Sequence, residues 1–174
     1  MLPWIQTYTS KQFWPLNPKT KDICLLDIVW ALSQKCRYTG HCNRFYSILE
    51  HSLLVNKFCP NYPLEGLFHD AAEAYLPDVA SPLKCLPFMS EFKKIENRIL
   101  EIIFKKFELT WPLPEEVDLI DKAMVFDERQ ELMPDWPVDW EIKGPGLGLP
   151  PLPKLDPLQA AFSFLRICER NGIK

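Results

Sequence analysis

Two neighbouring stretches decide the fold: Ser47-Ile-Leu-Glu50-His51-Ser-Leu-Leu-Val55 and Leu64-Glu-Gly-Leu-Phe-His69-Asp70-Ala-Ala-Glu73-Ala-Tyr-Leu76. In the first, Ser47 with Glu50 three residues on has the spacing of a capping box, so a helix is expected over 48–58. In the second, Leu64, Leu67, Phe68, Ala71, Ala72 and Tyr75 fall on one side of a helical projection, which predicts a helix from Leu64 to Leu76, stopped by Pro77. Pro60 and Pro63 separate the two, and an antiparallel pair of helices brings His51 and His69, eighteen residues apart, to one level.

The same periodicity runs outward on both sides. Leu25, Ile28, Val29 and Leu32 predict a helix over 25–36, and Phe92, Ile95, Ile99, Ile102 and Ile103 predict a wide core face on a helix over 90–107. Pro114, Glu115 and Glu116 open a helix expected over 114–132, and a last one is expected over 157–170. The fold class is therefore all-α, a bundle of about six helices in one domain spanning 1–174, with no confident strand. Residues 1–21 read as an extended arm that packs Trp4, Tyr8, Phe13 and Trp14 on the same domain or on a second subunit. Residues 134–157 hold seven prolines and three glycines and form a long loop, either a lid or a surface excursion.

Composition limits the function classes. The 174 residues are 47% hydrophobic and 25% charged, the balance of a compact globular chain. No apolar run approaches the length of a membrane span, and the N-terminus lacks a signal-peptide layout, so no membrane partner and a cytoplasmic location are expected. A net charge of −3 disfavours a nucleic acid polymer as partner, whereas a few local Lys and Arg residues suffice for a small phosphorylated molecule. Six scattered cysteines without a CxxC pair read as reduced thiols, mostly buried as small apolar groups.

Of the three histidines, His41 lies in a polar loop and reads as structural, while His51 and His69 each sit on a helix beside a carboxylate. On a continuous helix His69, Asp70 and Glu73 share a face. Imidazoles with carboxylates make a metal-site arrangement suited to Mn, Fe, Co, Ni, Zn or Mg. Asp118, Asp121 and Asp127 offer a further ligand, and Asp121 is preferred because its apolar neighbours Leu119, Ile120, Ala123, Met124 and Val125 imply a carboxylate in need of a partner.

The order His51, His69-Asp70, Asp121 resembles the H…HD…D pattern of the HD-domain metal-dependent phosphohydrolases, an all-helical superfamily. The segments around His51, from His69-Asp70-Ala-Ala-Glu73 through Asp78-Val-Ala-Ser-Pro82-Leu-Lys84, and from Asp121 to Glu128-Arg129 are similar to the YfbR-like 5′-deoxynucleotidases and related phage enzymes that hydrolyse dATP. This resemblance covers about residues 25–134, and the opening Trp-Ile-Gln-Thr-Tyr-Thr is similar to phage members. It implies His51, His69, Asp70 and Asp121 as ligands of a divalent metal, and Glu73 as the general acid/base. It also implies Arg37 and Tyr38 at the phosphate and sugar, Asp78 at the deoxyribose and Lys84 at the phosphates. Departures from the family pattern are Tyr38 in place of Trp, Ala80 where Pro is common, and a short link between His51 and His69. The implied activity is hydrolysis of 2′-deoxyribonucleoside 5′-phosphates. It leans to a phage dNTP (dATP) triphosphohydrolase, with a dNMP 5′-deoxynucleotidase and a non-catalytic metal- or nucleotide-binding module as alternatives. A homo-oligomer, dimer or hexamer, is expected from the same resemblance.

Overall fold

A computed structural model describes residues 3–134 and 145–174. Part of the expected Pro/Gly-rich loop, residues 135–144, lies outside the described residues. The chain is mostly helical, with one small two-stranded sheet. In chain order the helices are α1 (Leu25–Gln34), α2 (Ile48–Phe58), α3 (Pro63–Phe68), the single turn α4 (Ser81–Lys84), α5 (Ser90–Lys106), α6 (Glu115–Leu132) and α7 (Pro157–Arg170). No helix among the described residues is long and apolar enough to cross a membrane.

The N-terminal segment is not a free arm. It folds back as a hairpin, β1 (Ile5–Gln6) pairing antiparallel with β2 (Gln12–Phe13). Each strand has only two residues, too few for an alternating pattern to be read. Thr9 donates from its amide (2.7 Å) and its hydroxyl (3.1 Å) to the buried Asp27 of α1, while Phe13 is fully buried and stacked on Tyr75. Of the two docking surfaces open to the arm, it uses its own domain, although Trp4 and Tyr8 keep much of their surface in solvent.

The helix over Ile48–Phe58 begins as expected. Ser47 Oγ accepts from the Glu50 amide at 3.0 Å, and Glu50 accepts from the Ser47 amide at 3.2 Å. Asp156 and Gln159 repeat the reciprocal cap at the start of α7.

The expected continuous helix over Leu64–Leu76 is corrected. α3 ends at Phe68, Asp70 leaves helical geometry at φ −96° and ψ 11°, and Ala71–Ala74 forms a 3-10 turn. Beyond Asp70 the amides of Glu73 and Tyr75 bond three residues back, to the carbonyls of Asp70 and Ala72, and the Lys35 ammonium fastens this tighter turn by donating to the carbonyls of Glu73 and Leu76. Glu73 is therefore displaced from the simple one-face register with His69.

Two apolar clusters hold these elements. The larger joins Phe13, Ile28, Leu32, Leu49, Leu67, Phe68, Ile103, Phe104 and Phe164, and Phe68 lies edge-on to Phe164 with ring centroids 5.1 Å apart. On α5 the fully buried positions are Ile99, Leu100, Ile103 and Phe104, while Phe92, Ile95 and Ile102 are only half-buried, so the core face is narrower than expected. The smaller cluster gathers Tyr46, Val55, Cys59, Val117, Met124, Leu132 and Leu152. Helix α2 contributes to both, which places His51 between them. Cys59 and Cys168 are buried as expected, but Cys85 is exposed.

Candidate metal centre

The α2–α3 contact is what brings the two histidines together. Gly66 sits where a Cβ would lie 3.1 Å from Val55 Cγ1 and 3.2 Å from the Val55 carbonyl oxygen, so the helices approach at a distance only glycine permits without displacement. The result is a separation of 3.3 Å between His51 Nε2 and His69 Nε2. Asp70 Oδ2 lies 3.3 Å from His69 Nε2 and 4.0 Å from His51 Nε2. Asp121 Oδ1 arrives from α6 at 2.9 Å from His51 Nε2 and 3.7 Å from His69 Nε2. His51, His69 and Asp70 each offer a ligand atom within 4.8 Å of the others, the spacing needed to hold one ion.

Asp121 reaches the cluster for a different reason from the one expected. Its side chain is 33% exposed and its neighbour Leu119 is 58% exposed, so the carboxylate is not enclosed by apolar residues. Its direction comes from the helix: Val117, Asp121, Met124, Glu128 and Leu132 follow one face of α6, with the buried Val117, Met124 and Leu132 fixing which way that face points.

The outer nitrogens of both rings determine their tautomers. Glu128 is held down at about 2; burial opposes its ionisation, but the charges of Arg37 and His51 and the hydrogen bonds from His51 and Tyr38 outweigh it. An ionised carboxylate only accepts, so His51 Nδ1 carries the proton it donates to Glu128 Oε1 over 2.6 Å. A carbonyl likewise only accepts, so His69 Nδ1 donates to Gly66 O over 2.8 Å. Both Nε2 atoms are thereby turned to the cluster, the arrangement that a ligating histidine with a fixed outer partner adopts.

Electrostatics match this donor set. Burial raises the cost of charge on all four groups, yet Asp70 is held well below the usual carboxylate range by the His69 imidazole, and Asp121 by hydrogen bonds from both histidines. Both histidines are pushed above their ordinary value: for His51 burial and the Arg37 charge are overcome by Glu128 and Asp121, and for His69 burial is overcome by Asp70 and Asp121. A pair of half-buried carboxylates beside two imidazoles thus favours a positive charge at their centre, which protons or a cation can supply.

Of the other expected site residues, Arg37 joins the cluster: Nη1 is 3.3 Å from Asp70 Oδ2 and Nε is 3.4 Å from Glu128 Oε2. Tyr38 instead gives its hydroxyl to Glu128 Oε2 at 2.6 Å. Glu73 and Lys84 pair at 3.1 Å, and Lys84 also pairs with Glu96 at 2.9 Å. Burial first, then the charges of Asp70 and Asp78, push Glu73 up to about 8 against the pull of Lys84. Asp78 is half-buried and acts on this region through its charge.

Beside the cluster opens a cleft of about 500 Å³ lined by His69, Asp70, Glu73 and Lys84, with Lys93, Lys94 and Glu96 from α5. The expectations from sequence missed Glu128, Tyr46, Lys35 and these two lysines. Glu128 alone left a legible signal, lying seven residues and two helical turns beyond Asp121.

Comparison with known proteins adds lineage. No protein-family model matches the chain. It is 34% identical over 142 residues to the uncharacterized protein YfdR of Escherichia coli (strain K12), an alignment spanning 79% of each chain. It is 27% identical over 130 residues to the uncharacterized protein RCAP_rcc00048 of Rhodobacter capsulatus, covering 69% of this chain and 66% of that protein. At that identity and coverage, the chain belongs to the family that includes YfdR.

Proposed function

We propose that the protein is an HD-domain metal-dependent phosphohydrolase acting on 2′-deoxyribonucleoside 5′-phosphates. The observation that carries this reading is the convergence of His51 Nε2, His69 Nε2, Asp70 Oδ2 and Asp121 Oδ1 at the edge of a lysine-lined cleft. Two imidazole nitrogens and two carboxylates fit a divalent Mn, Fe, Co, Ni, Zn or Mg ion, because they are borderline-to-hard donors and leave coordination positions for oxygen ligands. Such an ion supplies Lewis acidity, polarising a phosphoryl oxygen and lowering the pKa of water.

The chain's own residues account for the rest. Arg37, fixed against Asp70 and Glu128, offsets phosphate charge, and Lys84 does so from the other side of the cleft. Glu73, in its ionised form, takes a proton from the attacking water and returns it to the leaving 5′ oxygen of the nucleoside. Water forms a new bond to phosphorus and the bond from phosphorus to the 5′ oxygen breaks. From a triphosphate the products are nucleoside and triphosphate; from a monophosphate they are nucleoside and phosphate.

Lys93, on the lining of the cleft, supports the triphosphate reading as a further cation for a longer anion, while Lys94 is already paired with Glu91. Incubating each dNTP and dNMP with Mn- or Co-loaded protein tests the proposal. Triphosphate released from one dNTP, dATP foremost, supports it in this form, and phosphate from dNMPs selects the 5′-deoxynucleotidase. Absence of either product with every metal leaves the non-catalytic binding module and overturns the enzyme. We further propose a cytoplasmic homo-oligomer, with the exposed Trp4, Ile5 and Tyr8 of the hairpin at the subunit contact. A monomer by light scattering contradicts that assembly.

A further inference from the structure

Glu128 is completely buried, and its two oxygens face different parts of the site. Oε1 accepts from His51 Nδ1 at 2.6 Å and from the Tyr46 hydroxyl at 2.7 Å. Oε2 accepts from the Tyr38 hydroxyl at 2.6 Å and lies 3.4 Å from Arg37 Nε, an ion pair without the alignment of a hydrogen bond. One oxygen therefore orients a candidate metal ligand, and the other holds the Arg37-Tyr38 segment. The backbone there is held in an uncommon conformation: Tyr38 and Thr39 both take positive φ, 54° and 56°. Arg37 reaches the cluster a second time through Asp70 Oδ2, 3.3 Å away.

We propose that Glu128 is a positioning residue that couples cation binding to phosphate binding, by holding His51 through Oε1 and Arg37-Tyr38 through Oε2. A fully buried carboxylate is retained only with its charge met, and three hydrogen-bond donors and the Arg37 charge meet it here. A neutral amide cannot replace it, because its NH2 would face donors where Oε1 or Oε2 now accepts. Shortening the side chain by one methylene keeps the charge but withdraws both oxygens from His51 and Arg37.

The proposal rests on the metal-binding part of the proposed function and not on turnover, so its test uses Co²⁺ and inorganic phosphate as probes. Glu128→Gln and Glu128→Asp, checked for folding by circular dichroism, are expected to bind Co²⁺ about 10- to 100-fold more weakly, the range for loss of a ligand's supporting carboxylate, with an altered Co²⁺ absorption spectrum. At saturating Co²⁺ they should also bind phosphate at least threefold more weakly. Wild-type Co²⁺ affinity in the folded variants overturns the proposal, as does loss of Co²⁺ affinity with phosphate affinity unchanged. Tyr38→Phe keeps the test decisive if neither Glu128 variant folds. It spares His51, so Co²⁺ affinity should stay within threefold while phosphate affinity at saturating Co²⁺ falls; unchanged phosphate affinity refutes the link through Oε2. A wild-type protein that binds both probes yet hydrolyses no deoxynucleotide refutes the proposed function and leaves this coupling standing.

Discussion

His51 Nε2 lies 3.3 Å from His69 Nε2, with Asp121 Oδ1 within 3.7 Å of both. Two buried imidazoles facing each other across that distance repel once both are protonated, and their outer nitrogens are already committed. Under the proposed function, one shared cation would replace those protons.

The first expected outcome concerns pH. Both histidines are held above their ordinary value, so in the metal-free protein the stability they contribute is fully present below the unfolded value of about 6.5 and is lost as pH rises through their folded values. Metal binding needs both imidazoles neutral at Nε2, so affinity rises over the same window. The rise in Tm on adding Mn²⁺ or Co²⁺ should therefore grow from pH 6 to pH 8.5, read by thermal denaturation with and without chelator. A constant shift contradicts the ligand set.

Removing a ligand is the second. Asp70→Ala should lower bound metal by at least about tenfold and abolish hydrolysis, measured by metal analysis of the dialysed protein and by product release. Full activity in this variant sinks the assignment.

Glu73→Gln separates catalysis from stability. Because Glu73 is raised to about 8, its protonated form is favoured in the fold, and the stability this contributes is lost as pH climbs from the unfolded carboxylate value through about 8. The glutamine variant should be more stable than wild type at pH 8.5, by on the order of 1 kcal/mol, while hydrolysis falls by about 10²- to 10⁴-fold. Denaturant melts and initial rates on the same preparation check both signs.

Gly66→Ala tests the helix approach that pairs the histidines. Alanine gains roughly 1 kcal/mol of helix propensity, but its Cβ meets the Val55 carbonyl oxygen at 3.2 Å, and a backbone atom inside α2 cannot swing away. A net loss of about 1–2 kcal/mol and weaker metal binding are expected from denaturant titration and calorimetry.

Lys93→Ala with Lys94→Ala addresses the substrate's phosphate count. If the triphosphate reading holds, the pair should raise KM for a dNTP several-fold more than KM for the corresponding dNMP, which carries less charge to the lysines of the cleft. Equal effects on both remove these residues from substrate selection.

Much of this was legible because local signals and the global fold agree. The Ser47 and Glu50 cap, the Pro114 start of α6 and the histidine spacing all survive into the structure. The Ala-rich run after His69 misleads because its helix-forming composition carries no sign of the 3-10 turn at Ala71–Ala74 or of Lys35, which fastens that turn from 38 and 41 residues away in sequence. Apolar neighbours on all sides of a helix say nothing about the direction of Asp121, whereas the Val117, Met124 and Leu132 stripe does. Tyr46 and Lys35 act through contacts from distant segments, so only the assembled fold reveals them.

The most direct measurement is an anomalous-scattering map of crystals soaked in Mn²⁺ or Co²⁺. The account expects one peak about 2.0–2.2 Å from His51 Nε2 and His69 Nε2, with Asp70 and Asp121 carboxylate oxygens completing the protein ligands. A cluster without a peak, or an ion bound elsewhere with these four side chains still paired to one another, contradicts it.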